Sequence, residues 1–198
     1  MQASPPERAR LIVGISGASG VIYGVRMLQM LRALGVETHL VMSKSAQLTL
    51  THETDMSVAE VKALADVTYS NADIGASIAS GSFRVSGMVI APCSIKTLSE
   101  IASGITGSLL SRAADVTLKE RRRLVLMLRE TPLHLGHLRS MVAVTEAGAI
   151  VSPPVPAFYA KPASIDEMVD HSVGRVLDLF GIASGAVRRW NPGNDTLA

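Results

Sequence analysis

The stretch from Arg10 to Met42 constrains the fold more than any other part of this chain. Arg10-Leu-Ile-Val-Gly-Ile15 is an apolar run too short for a helix, and it reads as a buried strand. A turn punctuated by Gly14, Gly17 and Gly20 follows. Val21, Ile22, Val25, Leu28, Met30, Leu31 and Leu34 then form a helical stripe that stops at Gly35. Glu37-Thr-His-Leu-Val-Met42 is a second strand. Strand, turn, helix and strand within about 30 residues make a βαβ unit, which crosses over right-handed and leaves its strands parallel.

The same alternation continues. A capping box, Ser57-x-x-Glu60, opens a helix that runs to about Ala65. Met88-Val-Ile-Ala91 is a central strand ending in Pro92-Cys93-Ser94, and helices are predicted over Lys96–Ser103 and Leu109–Arg121. Leu124–Leu128 is a further apolar strand, ending in Arg129-Glu130. A helix from about Leu133 to Ala147, a strand at Ala149–Val151, and a stiff Pro-rich loop from Pro153 to Tyr159 come next. Ser164-x-x-Glu167 caps the last helix, which ends at Gly181. Asn71–Gly87, rich in Ser, Gly and Ala, carries no periodicity and is assigned no element.

Continuously apolar strands alternating with helices specify a doubly wound α/β fold, Rossmann-like or flavodoxin-like, with a mainly parallel sheet covered on both faces. With no internal repeat and no long linker, residues 10–190 are expected to form one domain, with 1–9 and 191–198 as flexible tails. Of the 198 residues, 47% are hydrophobic and 18% charged, which excludes a disordered chain and is apolar enough to suggest burial between subunits. A single cysteine, Cys93, rules out an intramolecular disulfide framework. No apolar run is long enough to span a membrane and no signal-peptide layout is present, so a soluble cytoplasmic protein is expected.

The net charge of +2 conceals an asymmetry. Between Arg112 and Arg129, six basic residues (Arg112, Lys119, Arg121, Arg122, Arg123, Arg129) face two acids (Asp115, Glu120), so this segment is +4 and the remainder −2. Concentrated positive charge points to an anionic partner. Interleaved aromatics are missing, which favours a small phosphate-bearing ligand over nucleic acid.

Open parallel sheets bind ligands beyond the carboxyl ends of their strands, so the residues following each strand are the ones that matter. Ser16-Gly-Ala-Ser-Gly20 reads equally as a phosphate cradle at a helix N-terminus and as a tight turn that needs glycine. It is neither a G-x-G-x-x-G nor a Walker A motif. The second strand ends in Ser43, where an NAD site would want an acidic residue. Hydroxyls at Ser43, Ser94 and Thr97 instead suit a mononucleotide, with FMN the leading candidate. Arg112, Asp115 and Lys119 share one helix face, a spacing that a solvated Asp115–Lys119 ion pair would also explain. Arg129-Glu130, at a strand's ligand edge, combines a bidentate phosphate donor with a carboxylate able to act as acid or base. Cys93 reads as a small buried hydrophobe sooner than as a nucleophile. His134-x-x-His137 lacks a third ligand, so no metal is expected. Trp190 reads as a packing anchor.

Taken together, these segments resemble the UbiX-type flavin prenyltransferases. The resemblance spans about Arg10 to Trp190. It rests on Gly14-Ile-Ser-Gly-Ala-Ser-Gly-Val-Ile-Tyr-Gly24, Ser43-Lys44, Glu53-Thr-Asp55 and Pro92-Cys-Ser-Ile-Lys-Thr97. It continues in Arg112-Ala-Ala-Asp-Val-Thr-Leu-Lys-Glu-Arg-Arg122, Arg129-Glu-Thr-Pro132 and Pro153-Pro-Val-Pro-Ala-Phe-Tyr159. It implies transfer of a dimethylallyl group from dimethylallyl monophosphate to N5 and C6 of reduced FMN, without a metal. Prenylated FMN would then serve a UbiD-type decarboxylase in ubiquinone biosynthesis or aromatic-acid decarboxylation.

By the same resemblance, Gly17, Ala18, Ser19, Ser43, Ser94, Ile95, Lys96, Thr97 and Arg129 would contact FMN. Arg112, Lys119, Arg129, Tyr159 and Arg175 would hold the prenyl phosphate, and Ser19, Glu53, Lys119 and Glu130 would act in catalysis. A dodecamer with sites between subunits is implied. The chain departs from relatives at Arg123 and Leu128, where they often carry proline; neither is an implied ligand. The alternative is an FMN-dependent decarboxylase of the cysteine-decarboxylase type, whose Pro-x-Met-Asn motif is missing here. An FMN-binding electron carrier of flavodoxin type would leave the cationic residues without a role.

Overall fold

A computed structural model of the chain describes residues 9–190; of the tails expected at 1–9 and 191–198, all but Ala9 lies outside the described residues. Six strands, β1 (Arg10–Ile15), β2 (Glu37–Met42), β3 (Val67–Tyr69), β4 (Gly87–Cys93), β5 (Arg123–Leu128) and β6 (Ile150–Val151), form one sheet in the order β3-β2-β1-β4-β5-β6. Every pairing is parallel. This is the Rossmann order rather than the flavodoxin one. The helices are α1 (Ile22–Ala33), α2 (Lys44–Glu53), α3 (Val58–Ala63), α4 (Ile95–Ala102), α5 (Leu109–Lys119), α6 (Leu135–Glu146) and α7 (Ile165–Leu179).

Alternation along the strands divides the core between two faces. Leu11, Val13, Ile15, Val89, Ala91, Val125 and Met127 pack with residues of α1 and α7. Ile12, Met88, Ile90, Leu124, Leu126 and Leu128 pack with those of α4, α5 and α6. Close approach on the first face depends on Gly24, because a Cβ there would lie 2.3 Å from the carbonyl oxygen of Ala91. Cys93 is fully buried, and desolvation drives its thiol pKa far up, which fits a core residue and not a nucleophile.

Several elements depart from the sequence reading. Helix α2 and strand β3 were not anticipated: α2 buries only Ala46 and Leu50, and β3 is a three-residue edge strand. Within 71–87 there is one short helical turn at Ser77–Ala79. This segment is tied down by Arg122, whose guanidinium donates to the carbonyls of Phe83 and Gly81 (both 2.7 Å). Arg123 donates to the carbonyl of Leu179. Part of the basic cluster therefore serves the fold. The Pro153–Tyr159 loop ends in a helical turn at Phe158–Ala160.

Candidate active site

Strands β1 and β4 lie side by side, and their connections leave toward opposite edges, which opens a crevice at their carboxyl ends. Ser16 closes its floor. Its hydroxyl, 1% exposed, donates to the carbonyl of Pro92 (2.8 Å) and accepts from the amide of Ser94 (2.7 Å). The turn that follows presses against the start of α2: a Cβ on Gly17 would fall 2.4 Å from Cβ of Ser45. Ser43 caps α2 by accepting from the Ala46 amide (3.0 Å), and Ser94 caps α4 by accepting from the Thr97 amide (3.3 Å). The Ser94 hydroxyl also donates to Oγ1 of Thr97 (3.1 Å).

Beside these two helix N-termini lies an open cavity of about 610 Å³, lined by Ser43, Lys44, Ser45, Lys62, Tyr69, Asn71, Lys96 and Ser108 among others. Two amino-terminal dipoles and three lysines make it electropositive. Lys96, 79% exposed, rests on Glu100 (2.7 Å), one turn along α4.

The N-terminus of α1 is organised differently. Val21 gives it no side-chain cap, and Glu53, from the last turn of α2, supplies one. Its carboxylate accepts from the amides of Gly20 (2.8 Å) and Val21 (3.0 Å). Partial burial opposes ionisation of Glu53. The Ser19 hydroxyl, the Val21 and Gly20 amides and the positive charge of Arg129 outweigh that opposition and hold its carboxyl below the usual range. The amides at which the sequence allowed a phosphate thus carry a carboxylate of the chain itself.

Arg129 follows β5, its amide donating to the carbonyl of Cys93 (3.0 Å). Next to it, Glu130 accepts from the Thr131 amide (3.0 Å). Ser19, Glu53, Arg129 and Glu130 therefore gather at the carboxyl edge with Gly17, Ala18, Ser43, Ser94, Ile95 and Thr97.

One chain does not bring Lys119 and Arg175 to that edge. Helices α5 and α7 run antiparallel to the strands, so their ends reach the amino edge. Lys119 is the last residue of α5, four before β5 begins at Arg123. Arg175 lies in the final turns of α7; Phe180, just beyond that helix, packs against Gly87 at the start of β4. Arg112 is in the first turns of α5, paired with Asp115 (2.7 Å). Lys119 pairs with Glu120, not with Asp115 as the helical spacing allowed, and Arg175 pairs with Asp178 (2.8 Å). Tyr159 sits on the short turn after the Pro-rich loop, its ring edge-on to Trp190 (centroids 5.7 Å apart).

The donors fit a mononucleotide. Two capped helix N-termini with hydroxyls and lysines suit one phosphate. The sequence reading missed Ser16, Lys62, Tyr69 and Asn71. Ser16 stood inside the glycine-rich motif without a role; Tyr69 and Asn71 fall at the edge of the segment that carried no periodicity.

Comparison with known proteins agrees with this geometry. The flavoprotein family model matches residues 2–177. The flavin prenyltransferase UbiX of Escherichia coli K12 is 64% identical over 174 residues, 87% of this chain and 92% of the relative. The crystal structure of AnUbiX (PadA1) in complex with FMN and dimethylallyl pyrophosphate superposes with a TM-score of 0.92 at 54% identity, covering 93% of this chain and 98% of that one. A dodecameric FMN-dependent UbiX-like decarboxylase from Escherichia coli O157:H7 gives 0.90 at 51% identity, covering 92% and 99%. An FMN-dependent cysteine decarboxylase from thioviridamide biosynthesis, 17% identical with a TM-score of 0.62 over 74% of this chain and 90% of that one, shares the fold alone.

The fold and crevice define a flavoprotein with a Rossmann-ordered sheet. Within that class, the chain belongs to the family of UbiX-type flavin prenyltransferases.

Proposed function

We propose that this protein is a flavin prenyltransferase that joins the dimethylallyl group of dimethylallyl monophosphate to reduced FMN. The observation that carries the reading is its likeness, over nearly the whole chain, to a structure holding FMN together with dimethylallyl pyrophosphate. When bound, reduced FMN supplies the nucleophilic N5 and C6 positions that accept the prenyl carbons.

The protein's residues have distinct tasks. Gly17, Ala18, Ser43, Ser94, Ile95, Lys96 and Thr97 hold the flavin nucleotide at the carboxyl edge. Arg112, Lys119, Arg129 and Arg175 neutralise the phosphate leaving group and Tyr159 donates a hydrogen bond to it, which lets the allylic C–O bond break without a metal. Ser19 and Glu53 sit beside the reacting end, with Glu53 held as the anion. Glu130 takes up and returns protons.

Because Lys119 and Arg175 lie toward the amino edge, this reading draws them from neighbouring chains. The oligomer is a dodecamer whose sites combine rims of different subunits. Leu133, Leu135, Leu138 and Val142, 41–59% exposed at and before α6, provide apolar surface for such contacts. The product passes in the cytoplasm to a UbiD-type decarboxylase, in ubiquinone biosynthesis or aromatic-acid decarboxylation. Among the described residues no helix is long and apolar enough to cross a membrane.

Mass spectrometry of the flavin after anaerobic incubation with reduced FMN and dimethylallyl monophosphate tests the proposal. A gain of one C5H8 unit supports it. Bound FMN of unchanged mass overturns it and favours a flavin-dependent decarboxylase.

A further inference from the structure

His171, on α7, is only 6% exposed and has no part in the chemistry described above. A buried imidazole loses hydration, and folded proteins retain such groups where a partner compensates. Its partner here is Tyr159: the Tyr159 hydroxyl lies 3.5 Å from Nε2 of His171, and the two rings meet edge-on at 5.8 Å. The Tyr159 side chain is otherwise 44% exposed, on a short turn whose backbone is tied by Ala160 to Ala157 and Lys161 to Phe158. Trp190 covers another side of the phenol. The loop supplies the tyrosine, and α7 supplies the polar group that orients its hydroxyl.

We infer that His171 is a positioning residue that donates its Nε2 proton to the Tyr159 hydroxyl, so that the phenolic proton points outward to an anionic phosphate oxygen. The inference rests on the proposed role of Tyr159 in holding the prenyl phosphate.

A phenol has one proton to give and lone pairs to accept with. Donation to phosphate occupies that proton, so any second partner must itself be a donor. An imidazole protonated at Nε2 meets the requirement, and the chain Nε2–H to phenol to phosphate strengthens along its length. The 3.5 Å separation is long for a hydrogen bond. Such contacts tighten when the ligand draws on the shared hydroxyl.

Three substitutions separate donation from packing. Gln in place of His171 can present an N–H near the position of Nε2. Glu has nearly the same shape but only accepts, which turns the phenolic proton away from the ligand. Leu fills the space without polar contact. Steady-state prenyl transfer, with FMN binding followed separately by flavin fluorescence, gives the readout.

H171L is expected to raise KM for dimethylallyl monophosphate about tenfold, the loss associated with a hydrogen bond to a charged group. Its affinity for FMN should stay within about twofold, below the 1.4 kcal/mol that a tenfold change represents. H171Q should recover most of the wild-type KM, and H171E should be worse than H171L. In a Y159F background the Leu and Gln variants should become equal, because the coupling runs through the hydroxyl.

An active wild type with an H171L variant of unchanged KM overturns this inference alone. So does an H171L effect that persists undiminished in Y159F, or H171Q behaving like H171L. A wild type that does not transfer the prenyl group overturns the proposed function and this inference with it.

Discussion

Ser16 and Ser94, 78 positions apart in sequence, are joined by a 2.7 Å hydrogen bond from the Ser94 amide to the Ser16 hydroxyl. The same hydroxyl donates to the Pro92 carbonyl, so one buried atom ties the residue after β1 to both sides of Cys93 at the end of β4. Ser16→Ala would leave the Ser94 amide without that partner, while the Pro92 carbonyl keeps the backbone amide of residue 16, at a cost of about 1–3 kcal/mol. Calorimetry should show Tm lower by about 3–10 °C. Flavin titration should show weaker FMN binding, because Ser94 caps the helix proposed to face the nucleotide.

Glu53 gives a pH-dependent signature. Its pKa in the folded protein is lowered, so its contribution is fully present above the unfolded value. That contribution disappears as the pH falls through the folded value. Glu53→Gln should therefore lower Tm at neutral pH by about 1–4 °C, a capping effect discounted for solvent screening. The difference between wild type and variant should shrink below about pH 4.5. Thermal melts of both proteins across the acid range check this.

Gly17→Ala tests the turn. The added Cβ would sit 2.4 Å from Cβ of Ser45, so the turn and the start of α2 must separate. Overpacking of this kind costs about 1–3 kcal/mol. If the strain falls on the bound state, FMN affinity drops by about five- to a hundredfold, readable by fluorescence quenching.

Sites assembled from several subunits should complement one another. Lys119→Ala and Glu130→Ala homo-oligomers are each expected to lose most prenyl transfer, by about a hundredfold or more. Oligomers co-assembled from both chains should regain activity, because some sites then pair an intact Lys119 with an intact Glu130 from a different chain. Mixed oligomers that stay as inactive as either parent would place both residues in one subunit's site.

Strands β1, β4 and β5 were legible because a central parallel strand is apolar along nearly its whole length; β2, which opens on Glu37-Thr-His, was legible as the second strand of the βαβ unit. Helix α2 was not legible. It buries little, and its opening, Lys44-Ser45, resembles a loop until Ser43 is seen capping it. The segment 71–87 owes its course to distant partners. Asn71, for instance, accepts from the amides of Leu109 and Leu110 (both 2.9 Å), which open α5. At the crevice, Ser19, Ser43, Ser94 and Arg129 were legible because the ends of strands are. The tie from Glu53 to the Gly20 amide was not, since it exists only once α2 packs beside α1. Nor could the helical spacing of Arg112 and Lys119 reveal that α5 delivers them to different rims.

The carboxylate at the head of α1 has one more consequence. In sheets of this strand order, the first helix ordinarily receives the bridging phosphates of a dinucleotide. Here Glu53 already bonds the leading amides of that helix, and its negative charge would repel those phosphates. A charge that the chain folds back onto itself thus disfavours a dinucleotide at the head of α1 and leaves the capped ends of the neighbouring helices to receive a nucleotide phosphate.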